Sequence, residues 1–410
     1  MPKAKAPKRL DHIWFGLQSA LRLAYIRYKR MSASSAAQLP EADLSMLGGT
    51  LLLTLPFTQS GLRTSRQIAS PYASVVRFPT MNNGLDALLG DTLAVKAGER
   101  LAFIYDQTFA PLVDSLHLYC AEHGVQFRSF LTDYDGLGPL SPILREVILG
   151  SQYSVIVFGV VPNIWHTPER KHAKYELGKR LASIVCSPGR LPRAAHASSI
   201  PKIASATRQL SALLSPGVTV RITSPGGSEF TARVGTPFCE HGEYQNPGTG
   251  GDFPAGEAGF GPQELSVNGR IVYDAKVQHI GLLESPLVLT VQNDRVIEVS
   301  GTARQEFLNL CAAKGEVLRY ISEVSLGLNP LVGITPEPAF IPEEKTYGTA
   351  HCGHGGNASY GRRTGAHIDG IITAPTVEIN GQCVMESGRL LSGVVQEEIL
   401  DWLENTNASR

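Results

Sequence analysis

The chain has 410 residues, 43% of them hydrophobic, with lysine plus arginine and aspartate plus glutamate balanced at 37 each. A chain of this size and composition buries a large core and divides into two or three domains. Nothing in the charge balance argues for a nucleic-acid or membrane partner, and no apolar run reaches the ~18–20 residues of a membrane helix.

The six cysteines, Cys120, Cys186, Cys239, Cys311, Cys352 and Cys383, lack any CxxC spacing. That pattern fits reduced thiols in a cytoplasmic protein rather than a disulfide framework. At the N-terminus, a basic stretch winds into a helix with Ile13, Leu17, Leu21 and Tyr25 on one side and Arg22, Arg27, Lys29 and Arg30 nearer the other. It reads as an extension that docks on the body or on a partner subunit, with an organelle-targeting helix as the alternative. Residues 31–48 read as a small-residue linker, and GTLLLTLPF at 49–57 is strand-sized, so 1–83 form an N-terminal extension.

From Leu85 onward the pattern is α/β: a helix over 85–95, a strand over 100–106, a helix over 111–124 stopped by Gly124, and a strand over 125–131. A helix over 139–151, a continuous apolar strand over 153–161 and a helix over 168–183 leading into IVCSPG follow. This alternation predicts a doubly wound α/β scaffold domain over 84–215. No GxGxxG follows its first strand and no GxxxxGK[ST] occurs anywhere, so no nucleotide cofactor is indicated. A GxSxG elbow is also missing, which disfavours a serine hydrolase, and Cys352 beside His351 reads as a small residue rather than a nucleophile.

A helix over 200–215 leads into alternating apolar and polar runs around Pro225-Gly226-Gly227, Asn268-Gly269, Asn293-Asp294 and Asn380-Gly381. They predict a mainly antiparallel β domain over 216–410, crossed by one helix over 303–324. All the candidate ligands lie there. The stretch 343–370 sets Glu343, Glu344, His351, His354, His367 and Asp369 among glycines with little apolar bulk. His367 and Asp369 are two apart, so on a strand they face one side, and imidazole with carboxylate suits zinc, manganese, iron or cobalt. Glu257, in PAGE, and Glu323, in SEVSLGLNP, stand where burial is expected, and a buried carboxylate needs a cation or hydrogen-bond donors. Glu344 and Lys345 read as an exposed charged pair, and Glu323 has Arg319 four residues back as a possible partner.

PAGE (254–257), SEVSLGLNP (322–330), GTAHCGHG (348–355) and HID (367–369) occur in that order. Together they resemble the aminopeptidase T and aminopeptidase S group of metallopeptidases, over roughly residues 84–400. The resemblance implies a homodimer, a divalent metal cofactor, and Glu257, Glu323, His351, His367 and Asp369 as metal ligands. It implies a hydrolase in which the cation activates water against a peptide or small amide, with Glu257 or Glu323 as base and Tyr360 in the tyrosine's role. The group carries a further glutamate just before the GT.H histidine and a tyrosine shortly after it. Here Glu343 and Glu344 stand eight and seven residues ahead of His351, and the next tyrosine is Tyr360. That displacement keeps open a single-metal alternative, an enzyme that opens or deaminates an aromatic ring, with iron or manganese held by His367, Asp369 and one more ligand. A third reading is a structural metal in a non-enzymatic module.

Overall fold

A computed structural model describes residues 46–47, 50–51 and 83–408, apart from 137, 163, 166, 195 and 358–364. The N-terminal amphipathic helix and Tyr360 lie outside the described residues. In the first of two compact units, Met46–Leu47 (β1) and Thr50–Leu51 (β2) pair antiparallel.

The second unit begins at Phe78. Its first sheet is parallel and holds Arg100–Tyr105 (β3), Gln126–Leu131 (β4), Val155–Gly159 (β5) and Arg180–Ile184 (β6). The order is β4-β3-β5-β6, closed at the far edge by one later strand, and it is an order found in doubly wound folds. Both faces are covered. Leu101, Phe103, Val155 and Val157 pack with Leu116 and Cys120 of the helix Val113–Glu122, while Ala102, Ile104, Ile156 and Phe158 pack with Leu144 and Ile148 of the helix Pro142–Leu149. The sequence sets the helix starts: Ser141 and Thr167 accept hydrogen bonds from Leu144 N and Arg170 N, and a proline opens each helix.

One expected element is divided here. The helix predicted over 168–183 ends at Tyr175, Gly178 reverses the chain at φ +65, and 180–184 is the fourth strand. Arg180 disguised that strand as polar. Its guanidinium is buried against Glu99 at 2.5 Å and the Leu93 carbonyl at 2.6 Å, which lets an arginine open a core strand.

The second sheet is antiparallel and contains 14 strands. Thr219–Thr223 (β7) and the long Glu229–Glu240 (β8) begin it, after which the chain returns to the parallel sheet as Gly250–Phe253 (β9), beside β6. Glu257–Pro262 (β10), Asn268–Tyr273 (β11), Lys276–Val277 (β12), Gly281–Leu282 (β13), Leu287–Gln292 (β14) and Arg295–Ser300 (β15) follow. Ile321–Gly327 (β16), Thr349–Gly355 (β17), His367–Thr373 (β18), Thr376–Ile379 (β19), Gln382–Glu386 (β20) and Arg389–Leu390 (β21) complete it. Asn293-Asp294 and Asn380-Gly381 turn their hairpins with positive φ at both residues, as the two-residue turn requires. Asn268-Gly269, by contrast, lies inside β11.

The helix predicted over 303–324 stops at Lys314, where Gly315 takes φ +111, and residues 321–327 form β16. Glu323 therefore lies on a central strand, and Arg319 pairs with Glu316 instead. The alternation of ISEVS and its burial between two strands outweigh the helical reading. No helix among the described residues is long and apolar enough to cross a membrane.

Candidate metal centre

Strands β10, β16, β17 and β18 lie side by side in the antiparallel sheet. Their register places Glu323 opposite Gly353 and Gly353 opposite Asp369, while Ser325 faces His351 in the next row. Side chains two apart on a strand share a face, so Glu323, His351, His367 and Asp369 emerge on one side. Gly353 is the middle of that row. A Cβ there would lie 2.7 Å from His367 Cε1 and 2.9 Å from Asp369 Oδ1, so the glycine leaves the hollow between the ligating groups open.

Glu257 opens β10 after Gly256, which takes φ +117 against Asn329. Asn329 is fully buried and fastens this corner. Its Nδ2 donates to the Ala255 carbonyl at 2.7 Å, and its backbone N donates to the Lys345 carbonyl at 2.7 Å. The PAGE and SEVSLGLNP segments are thus clamped to each other and to the turn Pro342–Lys345.

Three groups of donor atoms converge within 4.8 Å: Glu257–Glu323–His351, Glu323–His367–Asp369 and Glu344–His351–Asp369. His351 Nε2 stands 3.1 Å from Glu257 Oε1 and 3.4 Å from Glu323 Oε1, and His367 Nε2 lies 3.2 Å from Asp369 Oδ1. Glu257 Oε1 nevertheless has no aligned hydrogen bond, although it is buried. His367 Nδ1 lies 2.8 Å from the Gly356 carbonyl, which as its acceptor leaves Nε2 as the ring nitrogen directed at the cluster. Asn357 Nδ2 donates to Glu323 Oε2 at 2.5 Å and fixes the carboxylate plane.

Electrostatics follow from the packing. Burial alone would raise the Glu257 carboxyl, but Lys345 and His351 hold it well below its usual range. Burial pushes Glu323 up to about 7 against the hydrogen bond from His351. Burial would lower His367, yet Asp369 beside it lifts the imidazole to about 9. A nitrogen and oxygen donor set this acidic, buried around a hollow with an orphaned carboxylate oxygen, fits a divalent cation.

The structure brings together all five residues read as ligands. Glu343 is separate: it is fully buried and pairs with Lys276 at 2.9 Å. The exposed pair expected at Glu344 and Lys345 is instead buried, with Lys345 1% exposed among Glu240, Asp252, Glu257 and Glu344. Lys345, Asn329, Asn357 and Gly353 carried no functional weight in the sequence. The only signal was the scarcity of apolar bulk around them, which meant burial without a core. Burial also pushes the Cys352 thiol up, in keeping with an inert small residue.

His354 points elsewhere. It is wedged under the sheet, its Nδ1 2.9 Å from the Leu318 carbonyl and its Nε2 2.6 Å from the Tyr273 hydroxyl. Burial lowers it to about 4. The unfolded chain, with an ordinary histidine near 6.5, binds a proton through this window that the native protein does not. Stability should therefore be intact above about pH 6.5 and fall as pH drops toward 4, by about 3 kcal/mol from this residue. Denaturant unfolding at both pH values checks it: the acid-side loss should be smaller in His354→Gln, and equal losses in the two proteins would remove His354 as the cause.

One cleft of about 420 Å³ opens onto the cluster. Glu257, Glu323, Glu344, His367 and Asp369 line it together with the apolar Val161, Pro162, Trp165, Phe238 and Phe340, while Asp135, Glu169, His279 and Lys314 add polar groups.

A search of the curated proteins finds no match to the sequence. Among solved structures, a 2,5-dihydroxypyridine dioxygenase from Pseudomonas putida is similar at 16% identity and a TM-score of 0.64, covering 77% of this chain and 96% of that one. Wild-type AmpT from Thermus thermophilus is similar at 14% identity and a TM-score of 0.57, covering 76% of this chain and 99% of that one. Both share the arrangement of a parallel sheet beside a large antiparallel one. The protein is a metal-dependent enzyme with a divalent cation as cofactor. The model of one family matches residues 144–392, a span that holds every donor of the cluster and most of the cleft wall, and the chain belongs to that family, NicX, 2,5-dihydroxypyridine 5,6-dioxygenase.

Proposed function

We propose that this protein is a ring-opening dioxygenase of a small hydroxylated nitrogen heteroaromatic, of the 2,5-dihydroxypyridine kind, working with one divalent metal ion. The family match over residues 144–392 carries the reading, because it covers the strands that bear the donors. Glu323, His367 and Asp369, which line the cleft, would hold the ion, with Glu257 beside them and His351 behind in the sheet. When bound, the metal supplies a Lewis-acidic, redox-capable position for substrate and oxygen.

The chain's own groups do the rest. Trp165, Phe238 and Phe340 offer apolar surface to a flat ring and shed water from it. The Gly356 carbonyl and Asn357 orient His367 and Glu323, so neither ring nor carboxylate must reorganise during turnover. Burial holds the Glu344 carboxyl well above its usual range, so it keeps a proton beside the cleft and can exchange it with a substrate hydroxyl. The aminopeptidase reading retains one observation in its favour, the likeness to AmpT over nearly all of that chain.

A parallel assay separates the two. With ferrous iron added, 2,5-dihydroxypyridine and related hydroxy-aromatics should give oxygen uptake with loss of the ring's absorbance, and aminoacyl anilides should give little amine release. Fast anilide cleavage without oxygen uptake would reverse the order of the readings.

A further inference from the structure

Four buried acids converge on one ammonium beside the ligand cluster. Lys345 Nζ lies 3.0 Å from Glu344 Oε1, 3.0 Å from Asp252 Oδ2 and 3.2 Å from Glu240 Oε2, and it also contacts Glu257 Oε2. Glu257 divides its two oxygens. Oε2 meets the ammonium, while Oε1 faces His351 Nε2 at 3.1 Å. A carboxylate that spans two neighbouring cations does the same, one oxygen to each.

One ammonium faces four acids out of water, one of which, Glu344, burial keeps protonated. Asp252 Oδ1 is buried without a hydrogen-bond partner, so the cluster holds more acceptor capacity than the lysine uses. An oxygen-only donor set of this kind suits a hard divalent cation such as manganese.

We propose that the Lys345 ammonium stands in the place of a second cation, limiting the protein to one metal ion, and that its removal turns Glu240, Asp252, Glu257 and Glu344 into a second divalent-metal site. The inference rests on the metal centre assigned above, and it deepens that reading by naming the residue that sets the metal count.

The test is manganese binding to the metal-stripped full-length chain, counted by titration calorimetry and by elemental analysis after desalting, with electron paramagnetic resonance of the bound ions. Wild type should take up one equivalent with the spectrum of an isolated ion. Lys345→Ala should take up two, with the exchange-coupled spectrum of a close pair, and adding Asp252→Asn to it should return the count to one. A folded Lys345→Ala that binds only one equivalent overturns the proposal. Should that variant not fold, the wild-type count decides: one isolated ion supports the assignment of Lys345, and two coupled ions overturn it. Wild type that binds no manganese fails the metal centre itself, and this inference with it. Two equivalents on wild type fail this inference and the one-ion count with it, and leave the metal centre itself standing.

Discussion

Asp369→Ala and His367→Ala should each weaken metal binding by about 100-fold or more and abolish turnover while leaving the fold intact. The two side chains share one strand face, 3.2 Å apart, and form a donor group with Glu323. Deleting either leaves that donor group with two members of three. The fold should survive because the hydrophobic clusters lie under the sheets and draw on neither residue. Metal content after desalting and the denaturant midpoint read the two effects separately. Full metal retention and full activity in either variant would show that the centre is elsewhere.

Gly353→Ala should damage the site nearly as much, by adding only a methyl group. Its Cβ would stand 2.7 Å from His367 Cε1, 2.8 Å from His367 Nε2 and 2.9 Å from Asp369 Oδ1, on a central strand that cannot shift without disturbing both neighbours. The imidazole must rotate away from its bond to the Gly356 carbonyl, and overpacking of this kind costs about 1–3 kcal/mol. Metal affinity should fall by roughly 10–100-fold, the range for lost orientation of a ligand. Gly189→Ala, where a Cβ meets nothing within 4 Å, is the matched control. Wild-type metal affinity in Gly353→Ala would mean that the hollow in this row is not where the ion sits.

The donors were legible because their chemistry is conspicuous: an imidazole and a carboxylate two residues apart, and acids stranded among glycines. The support around them was not. Lys345 beside Glu344 looks like any solvated charge pair, and only the packing of Pro342–Lys345 against β16, β17 and β18 buries it. Asn329 and Asn357 are short polar side chains in loops, where a turn is the ordinary expectation. Fold class was visible in the change from helix-and-strand alternation to paired short strands. The missed boundaries share a cause: RLASI and ISEVS carry a charged residue within an apolar strand, and a charge on a helix-length segment reads as an exposed face. In each case a partner from far along the chain, Glu99 for Arg180 and Asn357 for Glu323, makes the burial tolerable.

The return of the chain to the parallel sheet as β9 has a consequence for how the protein comes into being. The edge of β6 stays unpaired until Gly250–Phe253 has been made, more than sixty residues later, and Glu257 follows only a few residues on. During synthesis the first sheet must therefore wait as an open template, a state prone to wrong pairing. Its completing strand ends only four residues before the first acid of the metal centre, so one short link ties the edge of the parallel sheet to the ligand-bearing strands. Cutting the gene between the two sheets would give halves that each lack something the other supplies: one an edge strand, the other the surface against which that strand is laid down.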